Sequence, residues 1–135
     1  MRFILDSFAL VVLFLRQKGW ERVSQHLPDA ADGHYSHMMS AINYGEVYYS
    51  IIRAEGDRYA EAALADISEM PIEIIDPTRA HVLAAARLKS KGQDCVCGLF
   101  CGRPRARTWV ICADGRSRIQ EGRAAGCVGR MVTAE

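Results

Sequence analysis

The first 94 residues of this 135-residue chain contain no cysteine, which excludes a disulfide or a thiolate metal site in that part. A long hydrophobic run is also missing, because the apolar opening is interrupted by Asp6 and is too short to span a bilayer. No small-residue cleavage site follows that opening, so we expect a cytoplasmic protein with no membrane partner. The net charge is only +1, which gives no global reason to expect a polyanionic partner.

Several signatures of enzyme chemistry are missing as well. The histidines at positions 26, 34, 37 and 81 show neither H-x-x-x-H nor H-E-x-x-H spacing, which disfavours a histidine zinc site. No serine lies in a G-x-S-x-G context, so a hydrolase triad has no support. The candidates that remain for site chemistry in the first part of the chain are carboxylates.

Composition changes abruptly near residue 94. Residues 95–135 hold seven arginines, no lysine and three acidic residues, together with six of the eleven glycines. All five cysteines lie there too: Cys95, Cys97, Cys101, Cys112 and Cys127. We therefore divide the chain into residues 1–92, which have the pattern of a folded domain, and a Cys/Arg/Gly-rich tail of residues 93–135.

Short apolar strands alternate with helices in the first region. Residues 3–5 and 72–75 are typical of strands buried on both faces of a parallel sheet, and residues 36–40 are a weaker strand candidate. The predicted helices cover about residues 7–16, 20–31, 43–54, 58–70 and 77–91, with Asp57 and Asp76 as the N-caps of the last two. This alternation predicts an α/β fold with helices on both faces of a central parallel sheet. The tail has no clean period of two or 3.6 residues, which predicts a non-native or irregular segment.

Two carboxylates in the first region are candidates for a site. Asp6 stands where the first strand ends, and in open α/β sheets ligands bind at this carboxyl edge. Glu46 stands three residues after Asn43, near the start of a predicted helix, and can point toward the same edge. Both positions also have a purely structural interpretation, with Asp6 as a helix N-cap and Glu46 as part of a capping box. Spacing alone does not decide between them.

The tail suggests two other kinds of site. Its first three cysteines have C-x-C-x3-C spacing, which supplies one loose knuckle of a zinc site. The arginines at 103, 105 and 107 alternate beside Trp109, an arrangement that could grip phosphate and stack a base. A zinc-dependent or nucleic-acid-binding module is therefore an alternative function.

Three stretches together resemble the PIN-domain family, and specifically the VapC-type toxins of toxin-antitoxin systems. They are "FILDSFALVVLFL", "MSAINYGEVYYSIIR" and "IEIIDPTRAHVLAAARLKSKG", which match in order and spacing over residues 1–92. The resemblance implies a three-layer α/β/α fold and a ribonuclease that hydrolyses RNA phosphodiester bonds with Mg²⁺ or Mn²⁺. It also implies that Asp6 and Glu46 are catalytic metal ligands, and that the partners are an RNA substrate, a cognate antitoxin and a second copy in a homodimer.

The family pattern breaks off in the tail. A helix carrying the third acid and a strand carrying the fourth are expected next, and neither is present. Synonymous codons for residues 96–109, displaced by one nucleotide, can encode YADCFAAALAREL, and those for residues 114–123 can encode TGDPEFKKV in the same frame. Our hypothesis is that the chain from about residue 93 is an out-of-frame translation of a PIN gene.

The frameshift hypothesis assigns the missing acids to specific positions. The third acid corresponds to Gly98 and the fourth lies near Arg116, whereas Asp94 and Asp114 stand in the wrong context. Activity of this chain is then expected to be weak or lost. The alternative within the same family is a non-catalytic PIN remnant that binds an antitoxin through its N-terminal helices.

Overall fold

Strands alternate with helices in the computed structural model of this chain, which describes residues 2–27, 36–90, 108–114, 118–123 and 130–131. The alternation confirms the predicted α/β class. The elements follow in the order β1 (Arg2–Leu5), α1 (Ser7–Phe14), α2 (Trp20–His26), β2 (Ser36–Ser40), α3 (Ala41–Glu55), α4 (Asp57–Glu69), β3 (Ile72–Ile75), α5 (Arg79–Lys89), β4 (Thr108–Asp114), β5 (Arg118–Arg123) and β6 (Arg130–Met131).

The strands form one sheet with the order β3-β2-β1-β4-β5-β6. Strand β1 lies between β2 and β4 and is parallel to both, and β2 is parallel to β3. Strands β5 and β6 are added antiparallel. Because parallel strands run in the same direction, the carboxyl ends of β1 and β2 lie next to each other at one edge of the sheet.

The strands β4 and β5 lie in the tail, where the sequence predicted no regular element. β4 begins with Thr108, Trp109, Val110 and Ile111, a run of β-branched and aromatic residues with high strand propensity. It pairs with β1 from Arg2–Thr108 to Leu5–Ile111. This short run was not recognised as a strand from the composition of the whole tail, because the residues around it are rich in glycine and arginine.

Helix α1 is apolar on all sides and lies in the core. Its residues Ala9 to Val12 are consecutive and all buried, as expected of a helix that is covered by a sheet and by other helices. The helix ends at Phe14, two residues earlier than predicted, in a Schellman motif. The Gln17 amide donates to the Val12 carbonyl, and Arg16 adopts a left-handed conformation with a φ of 51°.

Helix α3 begins two residues earlier than predicted, because its N-cap is Ser40. The Ser40 hydroxyl accepts a hydrogen bond from the Asn43 amide at 3.1 Å, which places Asn43 at the third helical position. The expected capping box of Asn43 with Glu46 is therefore wrong. Asn43, Val47 and Ile51 are the buried residues of this helix.

The joint between α3 and α4 is a single residue, Gly56. Its φ of 85° and ψ of 173° lie in a region that residues with a Cβ rarely adopt. Gly56 ends α3 and also precedes the first residue of α4, so the predicted N-cap role of Asp57 is wrong. Helix α4 packs Ala60, Ala63 and Ile67 into the core.

Two other predicted helix boundaries differ from the structure. Helix α5 begins at Arg79 rather than 77, and the Thr78 hydroxyl, not Asp76, accepts a hydrogen bond from the His81 amide. Helix α2 ends at His26, whereas the prediction extended it to residue 31, and residues 28–35 lie outside the described part. Within the described residues, no helix is long and apolar enough to cross a membrane.

Candidate functional site

The carboxyl ends of β1 and β2 carry a cluster of polar side chains. Asp6 is the single residue between β1 and α1, and Ser40 ends β2 directly before α3. Helix α3 then contributes Asn43 from its first turn and Glu46 from its second. Together with Ser7, these residues form what we call the carboxylate cluster: Asp6, Ser7, Ser40, Asn43 and Glu46.

The two acids of the cluster share hydrogen-bond donors. The Asn43 Nδ2 donates to Asp6 Oδ1 at 2.8 Å and lies 3.4 Å from Glu46 Oε2. The Ser7 hydroxyl donates to the same Glu46 Oε2 at 2.8 Å and lies 3.4 Å from Asp6 Oδ1. The structure therefore brings Asp6 and Glu46 together at one edge of the sheet, although they stand forty positions apart in the sequence.

Asp6 has a structural role and a site role at once. Its Oδ1 accepts a hydrogen bond from the Ser7 amide at 2.8 Å, which caps α1 as one interpretation of the sequence predicted. The same oxygen accepts the Asn43 amide proton. Within the part of the chain that the structure describes, Glu46 makes no capping contact, because both of its hydrogen bonds go to the side chains of Ser7 and Asn43.

Three contributors to the cluster were not predicted from the sequence: Ser7, Ser40 and the side chain of Asn43. Ser40 is fully buried, and its hydroxyl donates to Asn43 Oδ1 at 2.6 Å. A serine three residues before an asparagine at a strand-to-helix junction is the local signal that could have revealed this pair. The contacts of Ser7 join residues 39 positions apart, which no local pattern encodes.

The oxygen ligands of the cluster are of the kind that binds a hard divalent cation, but there are too few of them to complete its coordination. Carboxylate and amide oxygens suit Mg²⁺ or Mn²⁺, and two like charges at one edge favour a cation between them. Among the described residues, however, no group of three or more His, Cys, Asp or Glu side chains is placed to hold a metal ion. The described part of the chain therefore supplies two acidic ligands, Asp6 and Glu46.

The tail candidates can be placed only in part. Cys112 and Trp109 belong to β4, and Asp114 is its last residue. The remaining tail cysteines, Asp94, Gly98, Arg103, Arg105, Arg107 and Arg116 lie outside the described residues.

Two other titratable residues, His37 and Tyr48, make contacts that give them structural roles. His37 on β2 is buried, and its ring stacks on Phe3 with a centroid distance of 5.5 Å, which makes it a core residue. The Tyr48 hydroxyl donates to Glu61 on α4. This hydrogen bond raises the pKa of Tyr48, with burial and the Glu61 charge acting in the same direction, so the phenol stays protonated at neutral pH.

A groove of about 430 Å³ lies at the other end of α1. Its walls come from the end of α1, from α2 and from α4, and the residues that line it are Leu13, Phe14, Arg16, Trp20, Ser24, Leu27, Tyr59, Asp66 and Met70. The Arg16 guanidinium lies 3.9 Å from the centre of the Trp20 ring, a cation–π contact. The Tyr59 hydroxyl donates to the Phe14 carbonyl at 2.8 Å and ties α4 to the end of α1.

Comparison with known proteins identifies the fold. No protein-family model and no curated protein matches the sequence. VapC20 of Mycobacterium tuberculosis, a toxin that cleaves the sarcin-ricin loop, matches in structure with a TM-score of 0.54 and 16% identity, over 73% of this chain and 74% of that chain. VapBC2 of Rickettsia felis, solved with a DNA fragment from its promoter, matches with a TM-score of 0.52 and 20% identity.

The match to VapBC2 covers 67% of this chain and 66% of the other chain, just under two thirds of its length. The chain therefore has the PIN-like α/β fold of VapC toxins, as the sequence resemblance implied. At these identities the likeness concerns the fold alone.

Proposed function

We propose that this chain is a VapC-like PIN domain in which the carboxylate cluster holds one Mg²⁺ or Mn²⁺ ion as the remaining half of a site for the hydrolysis of RNA phosphodiester bonds. The observation that carries the proposal is the convergence of Asp6 and Glu46 on the same two donors, Asn43 and Ser7. Holding like charges side by side in a partly buried cluster is unfavourable without a compensating positive charge, so a cluster of this kind favours cation binding.

The residues of the cluster would have different roles in such a site. Asp6 and Glu46 would hold the ion, and Ser7 and Asn43 orient the two carboxylates by hydrogen bonds. When bound, the ion would lower the pKa of a water molecule and stabilise the charge that develops on the scissile phosphate. The cluster lies at the carboxyl edge of a parallel sheet, which is where ligands bind in open α/β folds.

The site is proposed to be incomplete in this chain. Two acids leave a divalent cation mostly hydrated and poorly fixed, because Mg²⁺ needs near-octahedral oxygen coordination. The third and fourth acids of the family would correspond to positions 98 and 116, where the chain has glycine and arginine. We attribute both losses to one displaced reading frame that starts near residue 93.

RNA cleavage by two chains tests this proposal. The first is the chain as it stands, and the second carries the tail in the displaced frame, as determined by sequencing the gene across codons 88–123. We expect Mn²⁺-dependent cleavage by the second chain and little or none by the first, with Asp6→Asn abolishing it in the second. A displaced frame that does not encode the two acids would refute the frameshift, and cleavage insensitive to Asp6→Asn would refute the site.

A second candidate function is antitoxin binding without catalysis, and the groove at the end of α1 favours it. Phe14, Trp20 and Tyr59 offer aromatic surface to an apolar segment, and Arg16 and Asp66 add one charge of each sign. The fold shared with VapBC2 supports this candidate, because the sequence resemblance to VapC-type toxins implies an antitoxin partner. We propose that a cognate antitoxin occupies the groove. We also propose that the chain is a homodimer when it presents the groove to the antitoxin.

Binding of the protein encoded beside this gene tests the second function. Trp20→Ala is expected to weaken that binding at least about tenfold, because aromatic anchors dominate such interfaces. Asp6→Asn should leave it unchanged. Light scattering measures the stoichiometry and shows whether the chain is dimeric. Binding that is insensitive to Trp20→Ala would remove the groove from the proposal.

A further inference from the structure

We propose that Asn43 is a positioning residue whose side-chain amide holds Asp6 and Glu46 together, so that both carboxylates are aligned for one cation. The inference rests on the proposed function, since it concerns the same two carboxylates. Asn43 is the only asparagine in the chain and is 5% exposed. It touches both acids and no other residue of the cluster does so from a buried position.

The orientation of the Asn43 amide is fixed by its neighbours. The Ser40 oxygen accepts the Asn43 backbone amide, so its own proton is available to the Asn43 side chain. That proton goes to Asn43 Oδ1 at 2.6 Å, which leaves the Nδ2 protons facing the carboxylates. The reverse orientation would bring a carbonyl oxygen against two negative charges, and it is disfavoured by repulsion.

The amide group suits two acids better than any single hydroxyl. Its nitrogen carries two protons, one for Asp6 Oδ1 and one for Glu46 Oε2, whereas the Ser7 hydroxyl has only one proton to give. Within the described residues, both hydrogen bonds to Glu46 end on Oε2, so its Oε1 remains for an ion. Asn43 thereby reduces the repulsion between the acids without adding charge and without using the whole of Glu46.

A purely structural interpretation of Asn43 makes the opposite prediction for one substitution. Asn43 is the third residue of α3, and an acidic residue there is favoured by the helix dipole. If Asn43 served only the helix, Asn43→Asp would leave stability unchanged or raise it. If Asn43 holds the acids together, Asn43→Asp places a third negative charge on them, which destabilises the ion-free protein and strengthens cation binding.

The test is thermal unfolding of the full chain in EDTA and in excess Mn²⁺, with Mn²⁺ affinity measured by electron paramagnetic resonance. We expect Asn43→Asp to lower the Tm in EDTA and to show a larger Mn²⁺-induced rise in Tm than wild type. Asn43→Ala should weaken Mn²⁺ binding by about 10- to 100-fold, as is usual when a partner of a metal ligand is removed. The matched control is Ile42→Asp, which adds the same charge one position earlier on an exposed side chain.

The inference and the proposed function fail in different ways. Absence of Mn²⁺ binding by wild type would overturn the metal site, and Asp6→Asn in combination with Asn43→Asp then tests the positioning role alone. That double variant removes one of the three charges, so Asn43→Asp should lower the Tm less in the Asp6→Asn background than in wild type. Equal losses in both backgrounds would overturn the inference.

The positioning role can also be tested if Asn43→Asp does not fold. If Asn43→Asp is unfolded in EDTA, the positioning role requires that Mn²⁺ or the added Asp6→Asn substitution restore folding, as followed by circular dichroism. Failure of both, together with an Asn43→Ala variant that binds Mn²⁺ as tightly as wild type, would overturn the inference.

Discussion

The two ends of α1 belong to different kinds of surface. At its start, Asp6 and Ser7 join Asn43 and Glu46 in a polar cluster, where the two carboxylates accept hydrogen bonds from Ser7 and Asn43. At its end, the groove is lined by three aromatic rings together with aliphatic and polar side chains, and the Arg16 guanidinium lies over Trp20. The first surface suits a small hard ion and the second an apolar protein segment.

What separates the two surfaces is the buried middle of the same helix. Residues 9–12 pack against the core on all sides, so they hold both ends at fixed positions. An Asp6 cap fixes the first turn and a Schellman motif fixes the last. Substitutions can therefore be chosen that disturb both surfaces, one surface, or neither.

Leu10→Ala is expected to damage both surfaces and to have the largest effect. Leu10 is fully buried in the middle of α1, and removing such a side chain costs about 2–5 kcal/mol of unfolding free energy. Urea denaturation followed by circular dichroism measures the loss. Leu83→Ala on α5 is the control, because Leu83 is 55% exposed and should change stability by only about 0.5 kcal/mol or less. Similar losses for the two variants would contradict a core role of α1.

Asp6→Asn and Trp20→Ala are expected to separate the surfaces. Asp6→Asn removes an ionic ligand and should weaken Mn²⁺ binding by at least about 100-fold, or about 2.8 kcal/mol, in isothermal titration. Trp20→Ala should leave Mn²⁺ binding unchanged and lower the unfolding free energy, because it opens the groove wall. Loss of Mn²⁺ binding in both variants would mean that the two ends of α1 are not independent.

Gly56→Ala is expected to disturb the joint between the helix of the cluster and a helix of the groove. The conformation of Gly56 is strained for any residue with a Cβ, so the substitution should cost about 1–3 kcal/mol of unfolding free energy. Gly45→Ala is the matched control on α3. Among the described residues, a Cβ at Gly45 would meet no atom within 4 Å beyond its own stretch of helix, and the change should stabilise the helix by about 0.5–1 kcal/mol. Thermal unfolding of the pair should give shifts of opposite sign.

Arg16 variants are expected to have smaller effects confined to the groove. Arg16→Gly removes the strain of the left-handed backbone and also removes the contact with Trp20. Each change is worth about 1 kcal/mol of unfolding free energy, and the two oppose one another. Arg16→Ala loses the contact and keeps the strain, so it should be the less stable of the two in urea denaturation. The reverse order would show that the left-handed backbone at residue 16 is not strained, whereas an Arg16→Ala variant as stable as wild type would show that the guanidinium contributes nothing at Trp20.

The Tyr48–Glu61 hydrogen bond is expected to have the smallest effect, visible only at high pH. Because the pKa of Tyr48 is raised in the folded state, its contribution is complete below the ordinary value near 10 and is lost as the pH rises through the folded value. Tyr48→Phe should therefore flatten the fall in Tm above pH 10 relative to wild type. An identical fall in both proteins would mean that the hydrogen bond does not hold the phenol in its neutral form.

Much of the fold was predictable from the sequence, and the site only in outline. Apolar strands alternating with helices gave the α/β class, and the strand-end position of Asp6 indicated the correct edge of the sheet. The start of α3 was misplaced, because Ser40 and Asn43 are both good N-cap residues and local propensity does not rank them. The parts played by Ser7 and the Asn43 side chain depend on contacts across 37 to 39 positions of sequence.

The strand-to-helix junctions at the site contain almost no connecting chain. Only Asp6 separates β1 from α1, and α3 follows β2 with no residue between them. The distance between the two backbones is therefore the interstrand spacing of the sheet, about 4.7–4.9 Å, which main-chain hydrogen bonds dictate. The sheet therefore fixes the separation of the two junctions that carry the ligands. Point mutation can exchange the ligands at either junction, but a larger separation, and with it a site for a larger ion, would require an insertion at a junction.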